Sequence, residues 1–357
     1  MDVLTASTQQ SSFAIARLLT QMSNAHESRA QQETRPIEAK YDKKVNQAEL
    51  KIDRWKKVGK DIGEASSAIA TNIGNLKSIK SKLEGMLSTI NKANQRVDEE
   101  GFDPSGYATA FDALLKSVSS STEDKGRQIN LIGKRSVTLE YKTDIYGRTE
   151  TVNSVALDGE YHIIDSNGDR WQLDREAGQL KRFTDYPSGQ TSDVGSFPDG
   201  IRLNSIDDDN NISFTIAPDT ASPQTFSGTL HRSGMDVMDS WYYEGLSTQD
   251  ARDAAASDIH ATRTAIKLEI ARYESEFSLA QFYEERVNGE TKGLREDKNE
   301  ALLEKAQEVG KAKEKLIREF QAAQDAMQLS QNLKKEYASF LKPLGSSFGN
   351  KLVDILS

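Results

Sequence analysis

The chain is 357 residues long, 36% hydrophobic and 28% charged, with a formal net charge of -9. Its acidic balance disfavours nucleic acid as the main partner, and the absence of cysteine removes disulfides, thiolate chemistry and Cys-ligated metal. Aromatic residues make up only 7%, and charges of both signs are interspersed, a mixture of solvated helices with a narrow buried seam rather than a thick core, so an extended shape is expected.

The start, "MDVLTASTQQSSFAIARLLTQ", has neither a basic n-region nor the uninterrupted apolar core of a cleavable signal peptide. No stretch approaches the roughly 20 apolar residues of a membrane span. Residues 1–30 are expected to form a separate amphipathic segment, with Phe13, Ile15, Leu18, Leu19 and Met22 on its apolar face.

The N-terminal helical arm is placed at 31–130, with Pro36 suited to its first turn. From Tyr41 the apolar or small positions run Tyr41, Val45, Ala48, Ile52, Trp55, Val58, Ile62, Ala65, Ile69, Ile73, Leu76, Ile79, Leu83, Met86, Ile90, Ala93 and Val97. Sixteen steps over 56 residues give a mean spacing of 3.5, the period that keeps a seam facing a partner helix. "GFDPSGY" (101–107) ends the pattern with helix-breaking Gly and Pro, and "SVSSSTEDKG" (117–126) reads as a linker. Lys40, Lys43, Lys44, Lys51, Arg54, Lys56, Lys57 and Lys60 make one stretch locally basic; a solvated helix face is the favoured reading.

Residues 136–245 change character. Short alternating runs, "SVTLEY", "EYHIID", "RWQLD", "IRLNSI", "ISFTIA" and "TFSGTL", are separated by Gly, Asn, Asp and Pro, the pattern of an antiparallel β domain. A second helical arm is placed at 247–342, capped by Ser247. Along it Ile259, Ile266, Tyr273, Ala280, Val287, Leu294 and Ala301 recur at intervals of seven. Four residues further on from these, Ile270 and Phe277 are apolar but Glu284, Thr291, Lys298 and Lys305 are not, so the seam narrows. It resumes at Val309, Leu316, Phe320, Ala323, Met327 and Leu333 and stops before Pro343, leaving 344–357 as an amphipathic end with Phe348, Leu352, Val353, Ile355 and Leu356.

The fold class expected is α+β: long antiparallel coiled-coil helical arms with an inserted antiparallel β domain. The residues expected to carry interactions are Ile62, Ile69, Ile73, Leu76, Leu83, Ile90, Ile266, Tyr273, Phe277, Val287, Leu294, Phe348, Leu352 and Ile355.

Signs of chemistry are sparse. His26, His162, His231 and His260 lie in different segments without metal-site spacing. Asp165, Asn167 and Asp169, with Glu176 in the twelfth position, imitate a calcium loop, but the sixth position is Arg170 and the flanks are strand-like, so a hairpin turn is favoured. The cluster Asp207, Asp208, Asp209, Asn210, Asn211 also reads as a turn. There is no nucleophile elbow or phosphate-binding glycine loop, and "GKRS" (133–136) lacks the upstream glycine of a Walker motif. No enzymatic activity, cofactor or small-molecule substrate is expected.

Helical arms at both ends, a β insertion between them and amphipathic termini together resemble flagellin and related flagellar axial proteins. "SSFAIARLLTQMSNA" (11–25) is similar to the early helix of flagellins, and "LREDKNEALLEKAQ" (294–307) to an Asp-x-Asn-Glu segment of their C-terminal helices. The resemblance implies a structural, self-assembling component of an exported bacterial appendage, extracellular and exported without a cleavable signal, with the β domain displayed outwards. Its partners would be further copies or homologous subunits. The alternative is a type III secretion tip-like protein, or a cytoplasmic coiled-coil adaptor, that binds a partner through the β insertion.

Overall fold

The computed structural model describes residues 3–122, 129–133 and 135–353, with side chains described between 16 and 337 apart from 123–128, 134, 334 and 335. Its elements are α1 (Val3–Arg96), α2 (Ser105–Thr122), β1 (Thr138–Lys142), β2 (Thr149–Asn153), β3 (Glu160–Asp165), β4 (Arg170–Asp174), β5 (Gln179–Asp185), β6 (Ser188–Ser196), β7 (Ile201–Ile206), β8 (Asn211–Ile216), β9 (Gln224–Ser233), a 3-10 segment (Ser240–Leu246) and α3 (Gln249–Val353). The architecture is α+β, with a β insertion between two long helices. The chain divides into two compact units, Met1–Arg54 with Glu290–Ser357, and Trp55–Gly289.

In the first unit α1 and α3 run antiparallel, as the order of cross-helix ion pairs shows. Lys40 meets Glu308, Asp42 meets Lys305, Lys44 meets Glu304 and Glu49 meets Lys298. Solvent-facing pairs of this kind contribute little stability each, but a register slip would separate all four together. Beneath them Tyr41, Val45 and Ala301 form a small core with Ile37 against it, and Tyr41 donates its hydroxyl to Glu308 Oε1 at 2.7 Å.

Two expected boundaries are absent. α1 continues without a break from Val3 through Pro36, so 1–30 is not a separate segment over its described part. α3 likewise runs past Pro343 to Val353, which joins 344–353 to the arm; 354–357 lie outside the described residues. A proline inside a helix forfeits one backbone hydrogen bond. Around Pro36 the burial of Thr34 and Tyr41 keeps the helix continuous, since packing of one face outweighs local propensity.

In the second unit the same two helices pair again, with Lys77 on Glu274 and Glu84 on Arg263. The first seam is buried from Trp55 to Ala93, with Ile62, Ile69, Leu76, Ile79, Leu83 and Met86 fully enclosed. α2 continues through 117–122, where a linker is expected, and packs Ala108, Phe111, Leu115 and Val118 inwards. α3 is capped by Thr248, whose Oγ1 accepts the Ala251 N–H, and not by Ser247, whose hydroxyl donates to the Glu244 carbonyl.

The β insertion consists of the β1–β2 hairpin and a seven-stranded antiparallel sheet ordered β6-β5-β4-β3-β9-β8-β7. Strands β2, β5 and β6 escape the alternation pattern because their sequences, TETVN, QLKRFTD and SGQTSDVGS, carry few apolar residues. The sheet curls until its two ends approach: a Cβ on Gly195 of β6 would overlap the side chains of Ile201 and Ile216. Trp171, Phe214, Leu180 and Trp241 fill the interior, with Trp171 meeting Phe214 edge-on at 5.1 Å.

Candidate functional site

The seam positions are the first candidates, because α1 and α3 supply a long paired surface. Ile62, Ile69, Ile73, Leu76, Leu83, Ile90, Ile266, Tyr273 and Val287 are all buried within the second unit. Phe277 and Leu294 are only half-buried. Phe348 and Leu352 lie on the described backbone of α3 without described side chains, and Ile355 lies outside the described residues. These buried residues hold the helical pair together, which occupies them internally. Val97, the last of the 3.5-spaced set, is 36% exposed because α1 ends at Arg96.

Where the seam narrows, the first unit has an open groove of about 450 Å³ lined by Lys44, Ala48, Lys51, Leu294, Ala301 and Glu304 among others. Thr291 is nevertheless buried. Beyond the groove Leu316 is buried and Phe320 lies against His26, ring centres 4.7 Å apart. Large apolar side chains face solvent in this unit: Leu18 and Leu19 on α1, and Leu302, Leu303, Ile317, Leu329, Leu333 and Tyr337 on α3. Leu329, Leu333 and Tyr337 follow one another at intervals of four, which puts them on one face of the helix. Leu333 belongs to the seam pattern, whereas Leu329 and Tyr337 fall off it, and an apolar residue on the polar face of a heptad is the signal that marks them.

The calcium-like residues form a hairpin turn. Asp165 Oδ1 accepts the N–H groups of Asn167 and Asp169, and Asp165 Oδ2 accepts the indole N–H of Trp171 at 3.1 Å. The guanidinium of Arg182 lies 3.1 Å from Asp165, 2.7 Å from Asp169 and 3.0 Å from Asp193, so an arginine stands where a calcium ion would have to sit. Glu176 is drawn elsewhere, 2.9 Å from Lys116. Among the described residues no group of three or more His, Asp or Glu could hold a metal ion. Asp207 likewise caps its own turn, accepting the N–H groups of Asp209 and Asn211; the Asn211 side-chain amide holds its carboxyl below the usual range.

Two histidines are not apart in space. His162 and His231 are cross-strand neighbours on β3 and β9, stacked with ring centres 4.9 Å apart. Burial, together with Arg170 and the second ring, pushes His162 below the ordinary imidazole value. Pairing partners distant in sequence is a property of sheet register, which spacing along the chain does not show.

A buried polar network joins α2 to the insertion. Arg175 Nη2 donates to Asp239 Oδ2 at 3.1 Å and to the Gly159 carbonyl at 2.9 Å, and its Nη1 donates to Ser119 on α2. The Tyr161 hydroxyl donates to Asp239 and accepts the Trp241 indole N–H. Asp112 of α2 accepts both the N–H and the hydroxyl of Ser240, at 2.7 and 2.6 Å. Burial, with the Asp239 charge added, pushes the Asp112 carboxyl up to about 7. Nearby Arg252 is 1% exposed and donates to Asn94 Oδ1, the Leu246 and Ser247 carbonyls and Gln249 Oε1, which ties the start of α3 to the end of α1.

Among the described residues no helix is long and apolar enough to cross a membrane. No family model and no curated protein matches the chain. Among solved structures, the chain is similar to FlgL of Xanthomonas campestris at 13% identity and a TM-score of 0.23, over 74% of this chain and 99% of that one.

Proposed function

We propose that this protein is a structural, self-assembling subunit of an exported bacterial appendage, with the paired helices as its scaffold and the β insertion as its displayed part. The reading is supported by the first unit, where the internal seam is thin and large apolar side chains remain on solvent-facing helix surface: Leu18, Leu19, Leu302, Leu303, Ile317, Leu329, Leu333 and Tyr337. Scattered exposed leucines are ordinary, but a succession along one helix is surface that association would remove from water. Because each such leucine is already about half covered, completing its burial contributes about 1 kcal/mol. Further copies of the chain are the partners, and no cofactor or small-molecule substrate takes part in assembly.

The test is assembly of the full chain, followed by sedimentation velocity and electron microscopy over a wide concentration range. Growth of polymers with concentration is expected in the wild type, together with loss of polymers in the Leu329→Asp, Leu333→Asp double variant and after deletion of 344–357. Helix content should stay unchanged in the double variant and should fall in the truncation only by the deleted end of α3, which runs to Val353. A discrete, concentration-independent oligomer in the wild type overturns the reading in favour of an adaptor or tip-like protein that binds through the β insertion. In cells, the protein is expected in the sheared-appendage fraction only when the export apparatus works; retention in the cytosol would also count against it.

A further inference from the structure

The outer face of the sheet carries a feature that self-assembly does not use. Strands β4, β5 and β6, with α2 as one wall, enclose an open groove of about 470 Å³, within the range of small-ligand sites. Strand register explains what lines it. On the face opposite the Trp171 core, Phe183 lies between Arg170 of β4 and Gln190 of β6, and in the next row Lys181 lies beside Gln172. Phe183 and Tyr186 form an aromatic pair, ring centres 5.2 Å apart at 87°. Arg170 stacks over Tyr186 at 4.4 Å and positions that ring, which still leaves it 46% exposed.

Charges lining the groove balance, with Lys116, Arg175 and Lys181 against Glu160, Asp174 and Glu176. Lys181 lies 2.6 Å from Asp174, and Lys116 lies 2.9 Å from Glu176. A charged ligand therefore meets no net opposite field. A wholly apolar ligand would have to strip water from amides, a carboxylate and an ammonium group without replacing their hydrogen bonds. The ligand that fits has one apolar face for the aromatic pair and neighbouring groups that both donate and accept, to match the amides of Gln172 and Gln190, the Asp174 carboxylate and the Lys181 ammonium. A pyranose ring has this character, with C–H bonds on its faces and hydroxyls around its edge. We propose that the groove between β4, β5, β6 and α2 binds a neutral oligosaccharide, with the exposed Tyr186 ring as the stacking platform, Phe183 as an apolar wall set at right angles to it, and Gln172, Gln190, Asp174 and Lys181 as the hydroxyl contacts.

The proposal does not depend on self-assembly and is tested on the full chain. The probes are neutral tetrasaccharides of glucose, mannose, galactose and N-acetylglucosamine, each supplied at millimolar concentration and followed by saturation-transfer NMR. At least one should receive saturation from the wild type. That signal should persist at high salt, because no ionic contact is involved. Tyr186→Ala and Gln172→Ala should each weaken binding about tenfold. Tyr186→Ala should leave the melting temperature near wild type, because the ring is half exposed; this separates a lost contact from a lost fold. The proposal is overturned if none of the four probes receives saturation, if the signal survives intact in Tyr186→Ala, or if salt abolishes it.

Discussion

Asp112→Asn should leave the protein unchanged near pH 4 and stabilise it increasingly as pH rises from there to about 7. Asp112 sits between α2 and the insertion, with Ser240 donating to it twice, Asp239 as the nearby negative charge and Arg175 as the nearby positive one. In the folded protein its carboxyl titrates at about 7, against an ordinary value of 3.8. Between those two values the unfolded chain has released the proton while the folded one keeps it, so the stability contributed by this group falls as pH rises from about 4 to about 7 and is level beyond. The whole difference is worth at most about 4 kcal/mol. Asparagine reproduces the protonated carboxyl: its oxygen can accept the Ser240 N–H and its amide can donate to the Ser240 hydroxyl. The assay is urea unfolding across pH 4.5 to 8.5 followed by tryptophan fluorescence. All three tryptophans, Trp55, Trp171 and Trp241, belong to the Trp55–Gly289 unit, so the signal reports that unit alone. His162, held low by burial, and Asp258, raised by burial, titrate in both proteins and cancel in the difference. A difference between variant and wild type that does not grow with pH, or an asparagine variant less stable at pH 8, would refute the reasoning.

Three further outcomes follow from packing. Arg252→Leu leaves Asn94 and the Leu246 and Ser247 carbonyls without their donor, and should cost about 3 kcal/mol by the same unfolding assay. Gly195→Val must push its side chain into Ile201 and Ile216 and should cost about 1–3 kcal/mol, the usual result of overpacking; an unchanged midpoint would mean that the sheet ends do not meet there. Val287→Asp puts a charge at a buried position, 4% exposed, whereas Leu294→Asp enters a half-buried one, so the former should lower the circular-dichroism melting temperature more; equal effects would show that the two positions are equally enclosed.

The long helices and their seam were legible from the chain because burial follows a period of 3.5: sixteen of the seventeen positions from Tyr41 to Val97 are buried. Strands with strong alternation, such as "EYHIID" and "RWQLD", were equally clear. Boundaries set by proline were misplaced, because a local penalty at Pro36 is outweighed by contacts with residues more than 200 positions away, such as those of Tyr41 with Glu308. The end of α2, 117–122, reads as a linker because of its serines, while the helix's buried face, Phe111, Leu115 and Val118, acquires meaning only against the 3-10 segment and the insertion.

Period and alternation are properties of neighbouring residues, so the sequence by itself determined the helical seams, the β insertion and the fold class. Which charges meet was decided only by tertiary structure. Arg182 displaces the calcium reading at Asp165 and Asp169, His162 stacks on His231, and Asp112 reaches Ser240 across 128 positions. Each depends on strand register or helix docking, which bring together side chains that local spacing leaves unrelated.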